Sequence, residues 1–166
     1  MAGLAHVGVG LAAKRFAPNV PVGILLLGTY VIDIVWGVFF AVGVEHFGAA
    51  TTNPWSHGLF MALVWSGVAV LIAQRCCHNW RTSVIIGLLV FSHWVVDFIA
   101  HPMTAVFPGD AGLPLFFEGS PTVGLGGWST QLGVNIGEYG TLMVGLVIYL
   151  WTRHKLQRDK KLRAPA

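Results

Sequence analysis

Hydrophobic residues in this chain gather into long uninterrupted stretches rather than alternating with polar ones, and the stretches are parted by short polar or Gly/Pro-rich connections. A bilayer core of about 30 Å takes roughly 20 mainly apolar residues in helical form. Residues 20–44, 55–73, 82–100 and 131–151 meet that length. A further apolar run, residues 2–13, is short for a full crossing and is expected to enter part-way or to lean on the others. The pattern predicts an all-α fold: a polytopic transmembrane helical bundle of four full spans with a shorter N-terminal helix. Residues 1–152 form a single membrane-embedded domain in this reading, and residues 153–166 a basic tail.

Composition supports the reading. The 166 residues are 55% hydrophobic and 10% charged, with a mean hydropathy of +0.69, whereas soluble domains carry about 25% charged residues. The formal charge of +3 is unevenly placed, because residues 153–163 carry six of the ten Lys and Arg. A basic segment directly after a span serves as an anchor for anionic headgroups, so membrane lipids are expected as partners and nucleic acid is not. Lys14 and Arg15, Arg75 and Arg81, and the tail all fall on one side if the four spans alternate, which makes that side cytoplasmic in a cell (inner) membrane. The opposite side receives residues 45–54 and the Gly/Pro-rich residues 101–130, a connection long enough to form a cap. Its Phe107, Phe116, Phe117 and Trp128 suit a membrane interface. Cys76 and Cys77, neighbours in a short loop, have poor geometry for a disulfide and no second pair to build a thiolate site. Residues 1–13 lack a basic leader and a small-residue cleavage site, so they read as a helix rather than as a removable signal.

The chemistry lies in the ionisable residues within these apolar stretches. His93, Asp97 and His101 stand four apart, so on a helix two imidazoles and a carboxylate share one face. Burying such groups in hydrocarbon is expensive unless they are paired, and a divalent metal suits neutral imidazoles with a carboxylate. His6, Asp33, His57 and Glu138 fall at comparable depth on other segments once the spans alternate, so five segments offer N and O ligands to one layer. The bland alternatives are an Asp33 bonded only to a neighbouring hydroxyl or backbone group, a His57 at the interface after the helix-start signature Asn53-Pro54-Trp55-Ser56, and a Glu138 that merely packs. Glu45 and His46 read as loop residues.

The order of motifs resembles the YdjM-like family of inner-membrane metal-dependent hydrolases. The matching pieces are His6 followed by small residues, Leu27-Gly28 with Asp33 at the end of the element, Ser56-His57 opening a span, and Ser92-His93-x-x-x-Asp97 with His101 shortly after. They cover roughly the first hundred residues. The chain is also similar to the zinc-dependent phospholipase C and nuclease superfamily, in which His-x-x-x-Asp helices hold zinc. In the family the Asp element usually reads Pro-Asp-x-Asp, whereas Ile32 and Val35 flank Asp33 here, and the basic residue often found before Ser-His is absent.

Taken together, these features lead to the expectation of a membrane-embedded zinc-dependent hydrolase with His6, Asp33, His57, His93, Asp97, His101 and Glu138 as metal ligands. Zinc lowers the pKa of water toward about 7, and Asp33 or Glu138 is the expected general base. A site at outer-leaflet depth under a cap favours a phosphoester such as a phospholipid. Two other readings use the same residues: a transporter or channel that moves protons or a divalent cation, and a haem protein ligated by His57 and His93.

Overall fold

The computed structural model describes residues 3–48 and 52–162. A short helix α1 (Gly3–Ala12) is followed by a 3-10 turn (Ala13–Arg15) and by α2 (Val22–Ala41). Next come α3 (Pro54–His57), α4 (Leu59–Cys77) and α5 (Trp80–Ala100), then two short strands, β1 (Leu113–Pro114) and β2 (Thr122–Val123). The chain closes with α6 (Gln131–Asn135), a π-helical turn (Ile136–Gly140) and α7 (Thr141–Leu162). Four helical runs are long and apolar enough to cross a membrane: Val22–Ala41, Leu59–Cys77, Trp80–Ala100 and Gln131–Leu162. Their outer faces carry exposed Leu27, Leu71, Leu88 and Val147, a surface suited to lipid rather than water. An all-α membrane bundle is the architecture read from the sequence.

Local chemistry explains where the elements stop. α2 begins after Pro21 and ends in a Schellman motif, with Gly43 N–H donating to Phe40 O (3.1 Å) and Val44 N–H to Phe39 O (2.8 Å), while Gly43 takes φ +75°. The span expected to open at Trp55 is instead two helices, because Gly58 leaves helical geometry (ψ 142°) between α3 and α4. The α4–α5 hairpin turns through His78 and Asn79, whose side chain accepts the Thr82 N–H at 3.0 Å. Cys76 and Cys77 end α4, exposed and unbonded to each other, rather than sitting in a loop. The last span continues as helix to Leu162, so the described part of the basic tail extends α7, and residues 163–166 lie outside the described residues.

Packing makes α5 the central helix. Of its most apolar 18-residue window 44% is buried, against 22% or less in the other three spans. Without water to drive helices together, association in a bilayer relies on close backbone approach at small residues. Gly8 of α1 and Gly145 of α7 supply it: a Cβ at either position would run into the other helix's backbone. Residues 101–130 form the expected connection, built on the antiparallel β1–β2 pair. Its stretch 125–128 lies on the end of α5, with Leu125, Gly126, Gly127 and Trp128 donating to the carbonyls of Phe98, His101, Ile99 and Ala100. The carbonyls that a helix end leaves unpaired are satisfied in this way. Trp128 accordingly packs with Ala5, Ala100 and Met103 and is buried, not interfacial, whereas Phe116 and Phe117 are exposed.

Candidate metal centre

Five of the seven residues singled out in the sequence meet at one point. His6 comes from α1, Asp33 from α2, His57 from the end of α3, and His93 and Asp97 from successive turns of α5. Two overlapping triads, His6–His93–Asp97 and Asp33–His57–His93, each have ligand atoms within 4.8 Å of one another. His93 Nε2 stands 3.3 Å from Asp97 Oδ2 and 3.6 Å from Asp33 Oδ1. His57 Nε2 is 3.5 Å from Asp33 Oδ1 and 3.7 Å from Asp97 Oδ2, and His6 Nε2 is 3.4 Å from Asp97 Oδ1. These separations exceed the roughly 2.7–2.9 Å of a charge-assisted hydrogen bond. They approach the edge of a tetrahedron built on zinc–ligand bonds of about 2.0–2.1 Å, which is roughly 3.3–3.4 Å.

Hydrogen bonds on the far side of two rings set their tautomers. His93 Nδ1 lies 2.7 Å from the Thr29 carbonyl, which only accepts, so Nδ1 carries the proton and the Nε2 lone pair faces the centre. For His57 the constraint passes through a hydroxyl. Ser56 Oγ donates to the Glu45 carboxylate at 2.5 Å and therefore accepts from His57 Nδ1 at 2.7 Å, which again leaves the Nε2 lone pair inward. Orientation of a ligating imidazole by a carbonyl or carboxylate behind it is the usual arrangement at metal sites. The His6 ring stacks on His93, with centroids 3.9 Å apart, and Tyr30 meets it edge-on.

The centre is polar but unsatisfied. Both ring nitrogens of His6, His93 Nε2 and both Asp97 oxygens are buried and make no hydrogen bond. Each such orphan is worth roughly 1–3 kcal/mol of destabilisation, more when charged. Lone pairs and carboxylate oxygens directed at one point repel until a cation joins them. The donor set, three imidazoles and two carboxylates, fits a divalent ion such as zinc.

One side is sealed and the other open. His6, His93 and Asp97 are at most 1% exposed, whereas His57 and Asp33 reach 15% and 23%. The open side gives onto a cavity of about 100 Å³ whose wall includes Trp36, Phe47, Asn53, Phe107 and Asp110 besides Asp33 and His57.

Two expected ligands go elsewhere. His101 was placed on the His93 face by eight-residue spacing, but α5 ends at Ala100 and His101 is extended (ψ 149°), as suits a residue before proline. Its Nδ1 instead sits 2.7 Å from Asp110 Oδ2, at the cavity wall. Burial pushes the His101 imidazole below its ordinary pKa, against the pull of Asp97 and Asp110. Glu138 is not in the cluster either: its Oε2 accepts the Ala5 N–H at 2.7 Å. A carboxylate at a helix N-terminus satisfies unpaired N–H groups and the dipole together, so Glu138 anchors α1.

Glu45, read in sequence as a loop residue, is 3% exposed and accepts the N–H groups of Trp55 (2.7 Å) and Ser56 (2.9 Å) at the start of α3. The available signal was an acid shortly before the helix-start sequence Asn53-Pro54-Trp55-Ser56, where the helix dipole favours one. Asp110 carried no such signal, standing among glycines and prolines. Comparison of the chain with protein-family models, curated proteins and solved structures finds no match, so the candidate metal centre rests on its own geometry.

Proposed function

We propose that this protein is a membrane-embedded, metal-dependent hydrolase whose ion or ions are held by His6, Asp33, His57, His93 and Asp97, with a phosphoester such as a phospholipid as substrate. The observation that carries the reading is the convergence of buried, unpaired ligand atoms whose tautomers are set from behind. The order of motifs resembling the YdjM-like hydrolases points the same way. A bound divalent ion would supply Lewis-acid activation of water and of a phosphoryl oxygen at neutral pH.

The residues divide the work. His6 and His93 hold the closed side, and Asp97 links it to the cavity wall. Asp33 and His57 face the cavity, and Asp33, the most exposed carboxylate of the set, takes the role of proton acceptor. Glu138, the other expected base, is committed to Ala5. Asp97 is one turn and His93 two turns from the end of α5, and His57 precedes the start of α4, so the centre lies within the half of the bundle away from the basic residues. That depth suits a lipid phosphoester, and the aromatic wall of the cavity suits its apolar part. Basic residues at the opposite end of the bundle support a cytoplasmic tail and a centre on the other face of the cell membrane.

The two other readings fare less well. A channel needs a polar path beyond the centre, but Ala13, Val20, Leu25 and Leu89 close the bundle below it with a buried apolar cluster. A haem between His57 and His93 finds its plane filled by Asp33 and Asp97, which lie within 3.7 Å of those nitrogens.

The test is hydrolysis of a chromogenic phosphodiester and of labelled phospholipid by detergent-purified protein, before and after chelation and zinc return. Activity lost and regained supports the proposal. Metal-loaded protein inert on both substrates contradicts it.

A further inference from the structure

The end of the bundle away from the metal centre carries a second feature. A groove of about 690 Å³ runs between α1 and α5, walled by Val9, Ala12, Phe16, Ile85 and Leu88. Trp80 and Arg81 stand at one end of it and Ser92 at the other. Phe16 also borders a hollow of about 290 Å³ formed with Arg15, Trp151, Lys155 and Asp159. There the Arg15 guanidinium stacks 4.6 Å over the Trp151 ring, and the Lys155 ammonium lies 5.8 Å from the same ring. The apolar groove and the hollow of rings and cations thus adjoin each other across Phe16.

We propose that this groove binds an anionic glycerophospholipid, with its phosphate among Arg15, Arg81 and Lys155 and an acyl chain along α1 and α5. Two observations select that occupant. From Arg81 to Ser92 the helix rises about 16–17 Å at 1.5 Å per residue, which is roughly half of the 30 Å hydrocarbon core and so the depth of one leaflet. Three cations against the single acid Asp159 favour an anionic headgroup over a zwitterionic one. The site is separate from the metal centre: its headgroup end is at the opposite end of α5, so this lipid is a bound ligand and not the hydrolysed ester.

The experiment is native mass spectrometry of the full chain released from nanodiscs of equal phosphatidylglycerol and phosphatidylcholine. Wild-type protein is expected to retain phosphatidylglycerol selectively. Arg15→Gln with Arg81→Gln should cut that retention roughly thirtyfold, and Ala12→Phe, which fills the groove while leaving the cations, should cut it as well. The thermal unfolding temperature, unchanged in both variants, reports that the fold is intact. Equal retention of the two lipids, retention unaffected by either variant, or a groove variant that alters only the oligomeric mass would overturn the proposal, the last by showing a second copy of the chain as the occupant.

Discussion

The five side chains that could hold an ion depend on partners outside the cluster. Thr29 holds the His93 ring through its carbonyl, and the relay from Glu45 through Ser56 holds His57. Loss of such a partner typically weakens metal affinity roughly 10–100-fold. Ser56→Ala and Glu45→Gln are therefore expected to lower zinc affinity by about that factor while keeping measurable binding, as read by competition with a chromophoric chelator. Affinity unchanged in both would show that the relay does not orient His57. His101→Ala, by contrast, is expected to retain metal, because its imidazole is turned to Asp110. Sequence reasoning reached His93 and Asp97 because helical spacing alone puts them together. It misassigned His101 because the end of the helix depends on Pro102 and on carbonyls taken up by residues 125–128.

Helix placement decides whether His6 reaches the centre at all. α1 has ten residues, too few to span a membrane, and it is seated by the Gly8–Gly145 approach to α7 and by Glu138 at its N-terminus. Gly145→Leu should push α1 away from α7, removing His6 from the cluster and destabilising the protein by about 1–3 kcal/mol, as overpacking does. The readouts are metal content and thermal unfolding, and unchanged values in both would mean that α1 is not fixed by this contact. The early His followed by small residues was visible in sequence, but its reason was not: the glycines matter only once α7, more than a hundred residues later, lies against them. Glu138 illustrates the same limit. Its depth suggested a ligand, yet its nearest unmet need was a helix N-terminus that linear sequence does not bring near it.

Across the bundle, charge and chemistry separate to opposite ends. The spans were legible because their length and apolarity answer directly to bilayer thickness, whereas the break at Gly58 and the β1–β2 strand pair were not, since each depends on backbone packed from distant segments. With Cys76 and Cys77 replaced by Ser, a Cys at the exposed Ala111, beside Gly112, is expected to react in intact cells with an impermeant thiol reagent and a Cys at the exposed Lys160 is not. The reverse pattern would invert the topology. The central claim is that the unpaired lone pairs of the buried cluster are metal ligands, and elemental analysis of the detergent-purified protein beside its His93→Ala variant tests it most directly. Stoichiometric divalent metal in the wild type and its loss from the variant is the expected result; a metal-free wild type, or equal metal in both proteins, would contradict it.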